Sequence, residues 1–126
     1  MNAYLAIALG SALGGVARYA LARAIDLRWP HGDPAFIGTL IVNVLGCLAI
    51  GLAAAFSERE WVKLFVMVGI LGGFTTFSSF GLQTIRLADQ QRWGAAALCV
   101  GLSLGVCLLA VWLGMVIGRA VRLGDG

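Results

Sequence analysis

The sequence predicts an all-α membrane protein with four transmembrane helices, the third of them broken in the middle of the membrane. Of the 126 residues, 60% are hydrophobic and only 12% are charged, and the mean hydropathy is +0.93. A soluble domain of this size cannot bury so much apolar surface, so lipid must be the solvent. Four apolar stretches are long enough to cross a bilayer as helices. The third contains adjacent glycines and hydroxyls, which predicts irregular backbone at that depth.

Charge and cysteine content narrow the possible functions. The net charge of +3 comes from scattered basic residues without a basic run, so no nucleic-acid partner is expected. Cys47, Cys99 and Cys107 are odd in number and lie in apolar spans, which predicts neither a disulfide framework nor a zinc site. The sequence shows no Ser/His/Asp or Cys/His constellation, so we expect a protein that is not an enzyme.

The first span is predicted over residues 2–24. No Lys or Arg precedes its apolar stretch, which argues against a cleaved signal peptide and for a transmembrane helix. Gly10 and Gly14 form a G-x-x-x-G pair, the small surface typical of tightly packed membrane helices. Arg18 is costly if it faces lipid, so we expect it to snorkel toward the interface or to bond to protein groups.

A loop is predicted over residues 25–33, where proline and glycine follow the first span. Trp29 is expected to anchor this end at the membrane interface. His31 is the only histidine and has no second ligand nearby, so no metal site is expected there.

The second span, residues 35–56, is uncharged but carries one polar stripe. Thr39, Asn43 and Cys47 follow one another at intervals of four, so they share one helix face. A primary amide at mid-membrane is expensive unless it finds partners. Asn43 therefore either makes an interhelical hydrogen bond or donates its NH₂ group to a dehydrated anion.

The third span is predicted over residues 61–85, after a short polar turn in which Ser57 is the expected N-cap. Its central stretch, residues 72–80, reads GGFTTFSSF and combines adjacent glycines, hydroxyls and three phenylalanines at intervals of three. A segment that only contacts lipid would be Leu, Ile and Val throughout.

Two interpretations of this stretch remain open. In the first, the glycines permit close helix approach, the hydroxyls bond back to helix carbonyls, and the phenyl rings pack. In the second, the Gly72-Gly73 pair breaks the helix and frees carbonyls that hold a cation such as Na⁺. Phe77 and Phe80, on one face of the restarted helix, then offer their positive ring edges to a small anion.

A solvated end over residues 83–92 is expected to precede the fourth span, residues 93–118. In that span Cys99, Ser103 and Cys107 repeat at intervals of four and form a second mildly polar stripe. Further close-packing pairs are predicted at Gly101 with Gly105 and at Gly114 with Gly118.

Basic residues are almost evenly divided between the two sides of the predicted bundle. One side carries Arg59 and Lys63, together with Arg119 and Arg122 in a tail, residues 119–126, that we expect to be short and mobile. The other side carries Arg23, Arg28, Arg86 and Arg92, with Arg18 lying toward them inside span one. The positive-inside rule gives no decisive orientation, so we expect insertion both ways round and an antiparallel pairing of two copies. The alternative is that lipids or the order of insertion fix one orientation.

Three motifs in these spans resemble the small Fluc (CrcB) fluoride channels, and the resemblance covers essentially the whole chain. The motifs are Gly14-Gly15-Val16-Ala17-Arg18-Tyr19, then Gly38-Thr39-Leu40-Ile41-Val42-Asn43 with Gly46, then GILGGFTTFSSF over residues 69–80. The resemblance implies a passive, fluoride-selective channel in the bacterial plasma membrane. It also implies an antiparallel, dual-topology homodimer with two pores that lowers cytoplasmic fluoride.

The same resemblance implies roles for particular residues. It implies a structural Na⁺ at the dimer centre, held by the carbonyls of Gly72 and Thr75, with Arg18 and Gly73 as structural residues. The implied members of the ion pathway are Asn43, Phe77, Phe80, Ser79, Thr39 and Ser103. The sequence departs from the family at Cys99, near which some relatives carry an aromatic residue.

Two other functions are compatible with the size and span count. A small multidrug-resistance-like, dual-topology exporter needs a membrane-embedded carboxylate, and the first span has none. A non-transporting assembly subunit would use the same polar groups only to hold helices together. Measurement of ion flux would distinguish a channel from these two alternatives.

Overall fold

The computed structural model describes residues 2–28, 36–56 and 59–124, and its regular structure there is entirely helical. The helices are α1 (Ala3–Arg28), α2 (Ile37–Phe56), α3 (Glu60–Val62), a π-helical segment (Lys63–Leu71), α4 (Gly72–Phe74), α5 (Phe77–Asp89) and α6 (Trp93–Gly124). Four membrane-spanning candidates result, since α3, the π-helical segment, α4 and α5 together make one span, Glu60–Asp89. The prediction of four apolar spans in an all-α protein is confirmed.

Three helices extend beyond the spans predicted from the sequence. One of them is α5, which continues past residue 85 to Asp89, so most of the predicted solvated end over residues 83–92 is helical. α1 continues to Arg28, so the predicted loop does not begin at Ile25, because no glycine or proline interrupts residues 25–28. α6 continues to Gly124, and the expected mobile tail is wrong for residues 119–124. Arg122 Nη1 donates to the carbonyl of Ala55 at 3.3 Å and ties this end to α2. The expectations for Trp29, His31, Ser57 and the start of span two at Ala35 lie outside the described residues.

Glycines bring the helix backbones close together. A Cβ atom on Gly14 would collide with the carbonyl of Ile70, and one on Gly114 would lie 3.1 Å from the Cα of Gly51. The first contact joins α1 to the third span, and the second joins α2 to α6. Because lipid gives little hydrophobic drive for helix association, this close van der Waals contact carries much of the packing. Gly101 and Gly105, in contrast, meet nothing within 4 Å, so the predicted packing pair makes no contact within this chain.

The third span is interrupted at two threonines and not at the glycine pair. Gly72 has helical dihedrals (φ −64°, ψ −37°), whereas Thr75 (φ −82°, ψ 156°) and Thr76 (φ −148°, ψ 116°) are extended. The predicted break at Gly72-Gly73 is therefore displaced along the chain. β-branched side chains favour extended backbone. Gly73 serves a different need, because a Cβ there would lie 2.7 Å from the carbonyl oxygen of Ser11 on α1.

Candidate functional site

Asn43 on α2 holds the interrupted backbone of the third span. Its Nδ2 donates to the carbonyl of Thr76 at 2.9 Å, and its Oδ1 accepts from the N–H of Thr76 at 2.7 Å. One primary amide thus satisfies both backbone groups of an extended residue. The expected interhelical hydrogen bond is present, and no hydrogen bond from the second N–H of the amide is found among the described residues.

Hydroxyls organise the restart of the helix after the break. Thr76 is the N-cap of α5, and its Oγ1 accepts from the N–H of Ser79 at 3.2 Å. The same oxygen lies 3.2 Å from the Oγ of Ser78 and donates to the Oγ of Ser79 at 3.1 Å. Thr75 Oγ1 instead bonds back to the carbonyl of Leu71 at 3.0 Å. These bonds fix where α5 begins and how it is oriented.

The break also leaves two carbonyls without their usual helical partners. In a continuous helix the N–H groups of Thr76 and Ser79 would bond to the carbonyls of Gly72 and Thr75. Here those N–H groups bond to Asn43 Oδ1 and to Thr76 Oγ1. The carbonyl between them in sequence, that of Gly73, lies 3.4 Å from Arg18 Nε. The carbonyl oxygens of Gly72 and Thr75 are thus available acceptors at mid-span.

A partly open cavity of about 320 Å³ lies beside the break. Its walls come from α2, the third span and α6. The lining residues are Asn43, Gly46, Cys47, Ile50, Leu71, Gly72, Thr75, Thr76, Phe77, Phe80, Ser103, Leu104, Cys107 and Leu108. No charged side chain is among them.

The cavity brings together most, but not all, of the residues expected in an ion pathway. Asn43, Phe77, Phe80 and Ser103 line it, whereas Thr39 and Ser79 do not. The rings of Phe77 and Phe80 have their centroids 5.2 Å apart with planes tilted by 53°. Phe77 is 77% exposed in the single chain, so its ring lies on an open side of the molecule.

Gln83 is a polar residue of this region that the sequence analysis missed, because it was assigned to a solvated helix end. Its Nε2 donates to Thr39 Oγ1 at 2.9 Å, and its Oε1 is buried without a hydrogen-bond partner among the described residues. Spacing was the available signal, since Phe77, Phe80 and Gln83 follow at intervals of three on one helix face.

Cys99 lies in the hydrophobic core and not in the cavity wall. It is fully buried and packs with Phe36, Leu87 and Ala96. Thr84 Oγ1 donates to its sulfur at 3.4 Å. The polar stripe predicted on α6 therefore divides, with Ser103 and Cys107 on the cavity and Cys99 in the core.

The chemistry of this arrangement is that of neutral donors beside an apolar wall. The lining combines an amide, hydroxyls and two aromatic rings, which are groups able to offer weak positive potential to an anion without a fixed charge that would trap it. The described residues contain no group of three or more His, Cys, Asp or Glu side chains able to hold a metal ion. Backbone carbonyls are among the oxygen ligands that a hard cation prefers.

Comparisons with known proteins agree on one family. Residues 5–115 match the family model described as CrcB-like protein, Camphor Resistance (CrcB). A protein of Paramagnetospirillum magneticum named fluoride-specific ion channel FluC is 49% identical over 97% of this chain and 99% of its own length. Proteins of the same name from Opitutus terrae (48% identical, 90% of each chain) and Acidobacterium capsulatum (39% identical, 94% of this chain and 97% of its own) are also similar.

Proposed function

This chain belongs to the CrcB family, and we propose that it is a fluoride-selective channel that lets fluoride leave the cytoplasm passively and electrogenically. It is a multi-pass protein of the bacterial plasma membrane, and its activity is transport and not catalysis. The observation that carries the proposal is the uncharged cavity beside the Thr75–Thr76 break. Asn43 lines this cavity and also hydrogen-bonds to Thr76 at the break.

In this proposal the ion moves past groups that each bind it weakly. Fluoride loses hydrating water on entry. Interactions with the second N–H of Asn43, the hydroxyl of Ser103 and the edges of Phe77 and Phe80 would compensate for the lost hydration free energy. Several weak sites in series permit both entry and exit, whereas a fixed cation would hold the ion too tightly. Thr39 and Ser79 lie outside the cavity wall, since Thr39 accepts from Gln83 and Ser79 bonds to Thr76 beside the break, so they would contact the ion only beyond the cavity.

We further propose that two copies pair in opposite orientations and form two pores. Two features support this assembly: the near-equal division of basic residues between the two sides, and the apolar surfaces that a single chain leaves uncovered. A Cβ added to Gly101 or Gly105 on α6 would meet nothing within 4 Å among the described residues, and Phe77 is mostly exposed. A second copy would cover these surfaces and close the open side of each cavity.

A structural Na⁺ at the centre of this dimer fits the available carbonyls. Gly72 and Thr75 have carbonyl oxygens released from helical bonding, and Gly72 is exposed in the single chain. Two such carbonyls from each copy are oxygen ligands of the kind that a hard cation prefers. The ion would supply an electrostatic tie between the two interrupted spans.

The exporter and the assembly subunit remain the alternatives. An exporter that exchanges cations for protons needs a carboxylate inside the membrane, yet none of the cavity-lining residues is acidic. A subunit without transport activity would carry no ion at all.

Fluoride efflux from liposomes containing the purified protein tests the proposal. With a K⁺ gradient and valinomycin, we expect fluoride to leave rapidly and chloride to remain, and the flux to require no proton gradient. Fluoride flux that stops without a proton gradient would favour an exporter, and flux equal to that of protein-free liposomes would favour the subunit.

A further inference from the structure

Two thiols lie in the wall of the cavity, and the proposed conduction route uses neither of them. Cys47 on α2 and Cys107 on α6 both line the same cavity. Both are free thiols and only partly buried, so the cavity gives access to them. Cys99 is separate, because it is fully buried and bonded to Thr84. We refer to Cys47 and Cys107 as the thiol pair.

The packing of α2 against α6 places the thiol pair. Gly51 and Gly114 bring the two backbones together, and a Cβ on Gly51 would collide with the carbonyl of Val111. Cys47 precedes Gly51 by one helical turn, and Cys107 precedes Val111 by one turn. The two thiols therefore lie one turn from the tightest contact, on helices that are fixed by it. Ligands on rigid, packed elements are organised in advance for binding.

We propose that the thiol pair is a two-thiolate site for a soft cation, of the class of Hg²⁺, Ag⁺ and Cu⁺. Soft thiolate ligands select such ions. With Hg²⁺, two S–H bonds break, two S–Hg bonds form and two protons leave to water, so no oxidant or reductant takes part. A zinc or magnesium ion is not expected there, because the cavity offers no histidine or carboxylate to complete its coordination.

Occupation of the thiol pair would block the fluoride route, a consequence that rests on the proposed function. Cys47 follows Asn43 by one turn on α2, and Cys107 follows Ser103 by one turn on α6. A bridging metal would thus stand across the cavity beside both of the polar groups assigned to the ion. Fluoride would then have to pass a filled space beside Asn43 and Ser103.

Intact-mass measurement of the purified protein after titration with HgCl₂ tests the site without any transport assay. We expect one mercury per chain with the loss of two protons, which is the mass of a bridged thiol pair. Cys99→Ser is the matched control, because its hydroxyl keeps a partner for Thr84 and the thiol pair is untouched. Cys47→Ser and Cys107→Ser should each need about a hundredfold more Hg²⁺, since the second, intramolecular ligand is lost.

Two results would overturn the site. One is a wild-type adduct in which mercury binds one thiol and keeps a chloride. The other is equal Hg²⁺ affinity in the wild type and in the Cys47→Ser and Cys107→Ser variants. The same samples in fluoride-loaded liposomes test the block, with each variant compared with its own metal-free flux. We expect Hg²⁺ to stop efflux in the wild type and in Cys99→Ser, and a dithiol to restore it. A bridged pair with undiminished flux would overturn the block. Absence of metal-free flux would instead count against the proposed function, while the mass would still decide the site.

Discussion

At the scale of single residues, Asn43 and the two cavity phenylalanines differ in the contacts that they make. Asn43 uses one donor and one acceptor to satisfy Thr76 and also lines the cavity. The side chains of Phe77 and Phe80 have no hydrogen-bonding groups, and both rings line the cavity with their planes tilted by 53°. The proposed function assigns the amide to both structure and conduction, and the rings to conduction. Substitution can separate these contributions.

Replacing either ring should reduce flux without loss of the fold. We expect Phe77→Ile or Phe80→Ile to lower fluoride efflux by roughly tenfold or more, because the loss of a weak aromatic interaction of about 1.5 kcal/mol corresponds to such a factor. Size-exclusion chromatography should still show the wild-type oligomer. Phe74→Ile is the matched control, since Phe74 belongs to the same motif but packs beside Gly46, outside the cavity lining. If the Phe77 and Phe80 variants lose the wild-type oligomer, and not only flux, the two residues act in helix packing and not in conduction.

At the scale of elements, the interrupted third span depends on a neighbouring helix. Its break exposes the N–H and C=O of Thr76 at membrane depth, where unpaired backbone groups cost several kcal/mol. α2 supplies the missing partner from Asn43. The break is therefore a property of two helices together and not of the GGFTTFSSF sequence alone.

Removal of that partner should destabilise the protein. For Asn43→Ala we expect a loss of roughly 2–4 kcal/mol, because two part-buried backbone groups lose their hydrogen bonds. Thermal unfolding in detergent, followed by circular dichroism, measures the change. Leu45→Ala on the lipid-exposed face of the same helix is the control and should have little effect. Equal thermal unfolding midpoints for Asn43→Ala and the wild type would show that the Asn43–Thr76 hydrogen bonds contribute nothing to stability.

Sequence reasoning predicted the four spans because long apolar runs have few alternatives in a bilayer. It predicted that Asn43 needs a partner but could not identify Thr76, because that contact spans 33 residues and depends on how α2 packs. It placed the break at the glycines, since glycine is the usual source of irregular backbone, whereas close contact with Ser11 explains Gly73. Gln83 was missed because a helix-end position looks solvated until a neighbour covers it.

At the scale of the whole molecule, the question is how two identical chains complement each other. The single chain leaves its cavity open and its α6 glycines uncovered, and its basic residues favour neither side of the membrane. An antiparallel pair needs both orientations in equal amounts. The proposed assembly therefore makes dual orientation a requirement for function, and this requirement can be tested.

Charge variants that fix orientation should inactivate the protein alone and restore it in combination. Arg23→Gln with Arg28→Gln leaves two basic residues on one side against four on the other, and Arg59→Gln with Lys63→Gln does the reverse. Because the positive-inside rule responds to such a bias, each double variant should insert mainly one way. Fluoride resistance of a sensitive host should fall with either variant and return when both are expressed together, since opposed copies can then pair. Arg28→Gln with Arg59→Gln removes the same number of charges without bias and should retain full resistance. Protease access to a C-terminal tag verifies that each biased variant inserts one way. Undiminished fluoride resistance with such a variant would rule out the antiparallel assembly.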